Sequence, residues 1–410
     1  MITTLIRRML LPMLPKPRTG EHASDALSAN PHSALRIPHW PRLYWTLPFT
    51  LLLAVLPAAP AATTPDGWQL ALPGWQYQFP RDHGVHPPFK TEWWYFTGSL
   101  HTADGREFGY EITWFREGIL PVRPAAASRF VVQDFKFAHF ALSDIAAAKF
   151  HFAQKVSRGA YGDAGNGNGQ PGPLAWIDDW RLTVEPSGAW RIAAAHEGIS
   201  LALQLTPQKP PVIEGEQGIS VKSAGEGHAS CYYSYTRMAA TGLLTLPGAA
   251  PQAVTGETWF DHEWATNQLA PDQAGWDWFS LQLSDGTELM LYRMRLKNGH
   301  PDPASSGTFI PARGQPVYLK ASDFILTPLD SWHSPATQAA YPIRWRVQIP
   351  RLKMDVQVST PLDNQELALP GIVYWEGLIH ASGTSGGAPV TGHGYLELTG
   401  YAATLTGLSQ

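Results

Sequence analysis

Glu92-Trp93-Trp94-Tyr95-Phe96-Thr97-Gly98-Ser99-Leu100 decides the fold class. Its side chains alternate across a strand, and consecutive aromatic rings suit a pleated surface. The turn Ala103-Asp104-Gly105-Arg106 follows, with Asp-Gly as its hairpin signal, and residues 107–115 read as the return strand. The same grammar recurs downstream. Trp276-Asp277-Trp278-Phe279-Ser280-Leu281-Gln282-Leu283 leads into Ser284-Asp285-Gly286-Thr287, and a strand over 288–295 returns. Each copy reads aromatic strand, D-G-x-E, apolar strand. A weak internal duplication, and so two related β domains, accounts for this. Two unrelated hairpins with shared turn chemistry are the competing reading.

Working outward, strands read at 135–142, 180–186, 189–194, 199–206, 232–240, 257–260, 343–349, 354–359, 371–381 and 394–401. Short strands at near-regular spacing with Gly/Pro turns predict a sandwich or barrel. The class is therefore all-β. An N-terminal domain is expected over 62–250 and a C-terminal domain over 251–410, parted at the Pro- and Ala-rich stretch 246–254. Residues 265–269 and 321–324 read as single helical turns, and 162–172 as a flexible loop.

Composition agrees. Of 410 residues, 44% are apolar and 16% charged, too few charges for a disordered chain. The 37 Gly and 36 Pro argue against long helices, and the 17 Trp suit apolar pockets. Cys231, the single cysteine, excludes an intrachain disulfide and any Cys-cluster metal site. Residues 43–56 are an apolar run preceded by Arg36 and Arg42 and followed by Ala59 and Ala61, the pattern of a secretory signal peptide cleaved near Ala61. The mature chain is then expected to be secreted or periplasmic. Beyond residue 61 the chain carries 24 basic and 32 acidic residues, net −8, which leaves no basic footprint for nucleic acid.

Several motifs suggest chemistry. Gly383-Thr384-Ser385-Gly386-Gly387 fits G-x-S-x-G, but its flanks give no strand-to-helix elbow, so it reads as a hairpin loop. His262-Glu263 does not continue into H-E-x-x-H. Arg81-Asp82-His83-Gly84-Val85-His86-Pro87, ahead of Glu92, offers metal-ligand types, but Pro87-Pro88 makes it an extended loop without helical spacing. It reads as structural, and no metal is expected. The densest constellation is Glu257-Thr258-Trp259-Phe260-Asp261-His262-Glu263-Trp264 with Gly275-Trp276-Asp277-Trp278-Phe279. A carboxyl among aromatics is poorly solvated and holds a proton near neutral pH. A neighbouring His can accept that proton, and aromatic faces stabilise a cation. An acidic group capping a turn at a domain junction explains the spacing equally well.

These residues also resemble a known family. Arg81-Asp82-His83-Gly84, Lys90-Thr91-Glu92-Trp93-Trp94-Tyr95-Phe96-Thr97-Gly98, Phe137-Ala138-His139-Phe140, Trp259-Phe260-Asp261-His262-Glu263-Trp264, Tyr374-Trp375-Glu376-Gly377 and Gly394-Tyr395-Leu396-Glu397-Leu398-Thr399-Gly400-Tyr401 are similar to signatures of the AttH-like, lipocalin-like secreted proteins. That family is related to the bacterial carotenoid 1,2-hydratases (hydroxyneurosporene synthases). The resemblance spans roughly residues 68–405. It implies two tandem lipocalin-like antiparallel β-barrel domains and an apolar ligand, a terpenoid or lipid. It further implies addition of water to an isoprenoid double bond without a cofactor, with an essential Asp that matches Asp261. The strand Cys231-Tyr232-Tyr233-Ser234-Tyr235-Thr236-Arg237 departs from the hydratase pattern, having no His in its interior.

The resulting expectation is a hydratase-type protein. Neutral Asp261 protonates an alkene, and Asp261 or His262 takes the surplus proton. Glu92 is the second candidate carboxylate, oriented by His83. Trp93, Trp94, Tyr95, Trp259, Trp264, Trp276, Trp278 and Trp375 are the expected substrate-binding rings. The alternative is a lipid or isoprenoid carrier linked to ABC-type export components, since the family is associated with such exporters.

Overall fold

The computed structural model describes residues 62–402 apart from 126, 127 and 129. The expected leader over 1–61 lies outside the described residues. Both hairpins form as read. β1 (Thr91–Thr102) pairs with β2 (Glu107–Gly118) around the Asp104-Gly105 turn. The first sheet adds β3 (Asp134–Asp144), β4 (Lys149–Ser157), β5 (Ala164–Asn166), β6 (Gly172–Ile177), β7 (Trp180–Val184) and β8 (Trp190–His196). It is completed by β9 (Ile199–Pro207), β10 (Val212–Ile213), β11 (Ser220–Val221), β12 (Ala229–Thr245) and β13 (Gln252–Ala265).

The second sheet opens with the other hairpin, β14 (Gln273–Leu283) and β15 (Glu288–Leu296). It continues through β16 (Ser306–Ile310), β17 (Val317–Lys320), β18 (Ile325–His333), β19 (Ala340–Ile349) and β20 (Met354–Ser359). It ends with β21 (Glu366–Leu369), β22 (Ile372–Ser385) and β23 (Ala388–Thr399). Among the described residues the only helices are 3-10 turns, such as Arg81–His83 and Ala321–Asp323. The second of these is the turn expected at 321–324. No helix forms at 265–269, where β13 ends in an irregular crossover.

Strand order in the first sheet is β4-β3-β2-β1-β13-β12-β9-β8-β7-β6-β5, and β10 and β11 pair onto β12. The sheet curls until β3 and β4 come back against β6, nearly closing a barrel. The second sheet runs β17-β16-β15-β14-β23-β22-β20-β19-β18 and leaves two unpaired edges, a half-barrel. In each sheet the first strand pairs with the last, β1 with β13 and β14 with β23. That shared closure favours duplication over coincidence. It also moves the expected boundary at 250/251. That position lies inside the β12–β13 hairpin, whose two strands belong to one sheet, and the chain changes sheet between Ala265 and Gln273. The stretch 162–172 is not all loop either: β5 lies inside it and pairs with Ala175, Trp176 and Ile177 of β6.

Both sheets belong to one compact unit. Period-two alternation feeds three cores. Trp94, Phe96 and Leu100 of β1 fill the first barrel, while Phe279, Leu281, Trp345 and Trp375 fill the second sheet's concavity. The remaining faces meet between the sheets, where Tyr95, Tyr232 and Trp259 pack against Trp278, Met290, Tyr292, Leu378 and Tyr395. Gly109 permits that approach, because a Cβ there would stand 2.8 Å from the Leu378 Cβ and 2.9 Å from the Tyr395 hydroxyl.

Candidate active site

β13 sorts its residues by parity. Phe260, His262 and Trp264 turn into the first barrel, and Trp259, Asp261 and Glu263 turn toward the second sheet. Register places Tyr95 of β1 and Ser234 of β12 directly across from Asp261. Asp261 is 3% exposed and receives three donors. Trp259 Nε1 and Ser234 Oγ donate to Oδ1 at 2.7 and 2.6 Å, and Tyr232 Oη donates to Oδ2 at 2.7 Å. The Tyr232 oxygen in turn accepts Trp278 Nε1, from the second sheet, at 3.2 Å. Burial pushes the Asp261 carboxyl up to about 7 even against these donors. Fully buried Glu214 stands beside it, pushed up to about 8 by burial and by the charge on Asp261.

The second sheet adds more acids. Glu376 and Glu397 are cross-strand partners on β22 and β23. Tyr95 Oη donates to Glu376 Oε1 at 2.6 Å, and Trp276 hydrogen-bonds Glu397. Glu111 of β2 accepts Thr113 Oγ1 at 2.5 Å. Burial raises Glu111 to about 7 and Glu397 to about 8, and it lifts Glu376 well above the carboxylate range. Among the described residues, none of these five acids sits in an ion pair. Buried acids elsewhere do: Glu288 with Arg237 and Lys209, and Asp277 with Arg293 and Arg295. Unpaired buried carboxyls cost stability and mark functional sites.

That cost has a pH signature. The native state holds these protons to higher pH than the unfolded chain, whose carboxyls titrate near ~4. Their contribution is therefore intact below that value and is lost as pH rises through 7 to 8. The melting temperature is expected to fall from pH ~5.5 to pH ~8.5, each such group weakening the fold by about 1.4 kcal/mol per pH unit inside its window. Thermal melts across pH check this; a flat or rising profile contradicts it.

The first barrel's interior holds a different cluster. Glu92 Oε1 receives His86 Nδ1 at 2.7 Å and lies 3.1 Å from His262 Nε2, while Oε2 accepts Arg116 Nε at 3.1 Å. The His86 amide donates to both oxygens at 3.0 and 2.9 Å. His86 Nε2 reaches the Asp82 carboxylate at 3.3 Å, and His262 Nδ1 the Asp82 carbonyl at 3.0 Å. Burial opposes charge on Glu92, but His86, His262 and Arg116 outweigh it and hold the carboxyl well below its usual range. His86, Glu92 and His262 bring their ligand atoms within 4.8 Å of one another, a grouping that could hold a metal. Each of those atoms is already spent on a neighbour, and Arg116 occupies the other Glu92 oxygen. The donor set fits a clamp that ties the 81–88 loop to the barrel.

Comparison with known proteins identifies the family. The profile of the family described as AttH-like matches residues 70–401. The chain belongs to the AttH-like family. An AttH protein of Nitrosomonas europaea is 36% identical, with a TM-score of 0.72 over 80% of this chain and 98% of that one. Kievitone hydratase of Nectria haematococca superposes with a TM-score of 0.61 at 16% identity, over 80% of this chain and 93% of that one, a likeness of fold. Dehydratase asqC of Emericella nidulans is 21% identical over 239 residues, 54% of this chain and 63% of that protein. The match thus spans under two thirds of that relative.

In this AttH-like chain the expected site residues fall into three places. Asp261, Tyr95, Trp93, Trp259, Trp276 and Trp278 gather between the sheets. His262, Glu92, Trp94 and Trp264 lie across the sheet in the barrel, so His262 does not share a proton with Asp261. His83 does not orient Glu92. Its Nδ1 meets Tyr233 Oη at 2.7 Å, and burial pushes its pKa down to about 3. His86 holds Glu92 instead. Trp375 packs in the second sheet's core, away from both clusters. Tyr232, Ser234, Glu214, Glu376 and Glu397 escaped the sequence reading. Glu376 and Glu397 sat in quoted motifs, where strand parity was the available signal. Glu214 had none. Two open clefts, of about 400 and 380 Å³, are lined by other residues, and Asp261 is buried between the sheets.

Proposed function

We propose that this AttH-like protein is a hydratase or dehydratase that moves water across a carbon–carbon double bond of a large apolar substrate, an isoprenoid or lipid. One observation carries the reading: Asp261 is a buried carboxyl poised near neutrality, in no ion pair among the described residues, among the rings of Tyr95, Trp259 and Trp278. In its neutral form it protonates an alkene carbon. The rings shield the resulting tertiary cation, water adds, and the Asp261 carboxylate takes the proton that the water loses. Carboxyl chemistry of this kind needs no cofactor. The names of kievitone hydratase and dehydratase asqC support water addition or removal as the reaction class. Export through the leader expected over 1–61 would place the activity outside the cytoplasm.

The test uses squalene, farnesol and oleic acid in heavy-oxygen water, with mass spectrometry of the products. Labelled alcohol is the expected result. A probe that binds tightly and stays unlabelled would make the protein a carrier.

A further inference from the structure

The hydrogen-bond count around Ser234 does not close unless a proton is shared. Ser234 Oγ lies 2.6 Å from Asp261 Oδ1 and 3.0 Å from Glu214 Oε1, and a hydroxyl has one hydrogen. If both acids were ionised, one carboxylate oxygen would face a lone pair in a buried site. One of the two therefore carries a proton. The surrounding donors say which. Trp259 N–H points at Asp261, and so does the Tyr232 hydroxyl, whose oxygen is already taken by Trp278. Asp261 is thus solvated as an anion. Glu214 has only Thr308, a residue of β16 in the second sheet, whose hydroxyl donates to Oε2. That leaves Glu214 Oε1 to carry the proton and donate it to Ser234.

We propose that Glu214 is a positioning residue that stores the reacting proton and delivers it to Asp261 through Ser234. The inference rests on the hydratase reading of Asp261. In the cycle, the Glu214 proton moves to Ser234 Oγ as the Ser234 proton moves to Asp261 Oδ1. Asp261 then gives that proton to the alkene carbon, whose π pair forms the C–H bond. A lone pair of water forms the C–O bond, and the proton that water sheds returns to the Asp261–Glu214 pair. Alkene and water become alcohol, with the pair restored. Burial raises both acids, which keeps the shared proton in place through neutral pH. The groups facing the pair are Lys222, which favours ionised Glu214, Tyr232, whose hydroxyl favours ionised Asp261, and Glu263, Glu376 and Glu397, which oppose ionisation. Thr308 ties the Glu214 end of the relay to the second sheet.

Glu214→Gln tests this. Its amide can donate to Ser234 and accept from Thr308, so the fold and Asp261's three donors persist while the stored proton is gone. The infrared spectrum at neutral pH is expected to lose one protonated-carboxyl stretch in Glu214→Gln and to keep it in Asp261→Asn. On whichever of squalene, farnesol and oleic acid turns over, the alkaline limb of kcat in Glu214→Gln is expected to move acidward by about one unit or more. Ser234→Ala, which cuts the bridge and removes a donor that lowers both acids, is expected to reduce kcat while the limb moves toward higher pH. A wild-type pH profile in Glu214→Gln, or a band lost only in Asp261→Asn, overturns the relay and leaves the reading of Asp261 standing. Full turnover by Asp261→Asn overturns that reading itself.

Discussion

Asp261→Asn is expected to lower kcat by about a hundred- to ten-thousand-fold, the range an acid–base group contributes, while the melting temperature falls by only a few degrees. The structure explains why the two readouts separate. The asparagine oxygen still accepts Trp259 N–H and Ser234 O–H. Its amide nitrogen can donate to the Tyr232 oxygen, which has a second lone pair beside the one taken by Trp278. The Tyr232 hydroxyl hydrogen loses its acceptor, a cost of about 1–3 kcal/mol that the fold survives. What disappears is the capacity to give and retake a proton. Turnover measured beside a thermal melt decides the matter: a variant with wild-type kcat would make Asp261 a structural group, and one that fails to fold would show that its charge carries the interface. The substrate KM is expected to change little, because the rings of Tyr95, Trp259 and Trp278 that hold the apolar body are untouched.

Much of this architecture was legible because strand chemistry is local. The Asp104-Gly105 and Asp285-Gly286 turns and their aromatic strands set two hairpins at their observed positions. The domain boundary was not legible. The Pro- and Ala-rich stretch 246–254 looks like a linker, yet it is the turn between β12 and β13 and the first three residues of β13, paired back onto β12. At the site the same division holds. Asp261 stood out because a carboxyl within a run of aromatics must be desolvated. Its neighbour His262 looked like its partner, although alternation sends adjacent strand residues to opposite faces. In the Tyr374-Trp375-Glu376-Gly377 motif it is Glu376, not Trp375, that faces the site, so choosing Trp375 makes the same parity error in the second sheet. Tyr232 and Ser234 become partners of Asp261 only through the β12–β13 register, and Glu214 through a two-residue strand that pairs onto β12. Such long-range pairings leave no mark in a single sequence.

Strand parity also separates stability from chemistry, and Glu92→Gln measures the separation. Glu92 is fully buried and balances Arg116 and His86 while accepting the His86 amide. A neutral amide cannot compensate Arg116, and its NH2 would face the donors on one side. Removing one partner of a buried ion pair costs about 3–5 kcal/mol. The melting temperature is expected to fall by about 10 °C. Arg346→Ala, which breaks an Arg346–Asp355 pair on the exposed faces of β19 and β20, is expected to cost no more than about 1 kcal/mol. The folded fraction of Glu92→Gln is expected to keep its turnover, because Glu92 points into the barrel and Asp261 does not. Equal melting temperatures for the two variants would show that the cluster is not a clamp. Lost turnover in a well-folded Glu92→Gln would mean that the barrel interior takes part in the chemistry and that strand parity does not divide the two clusters.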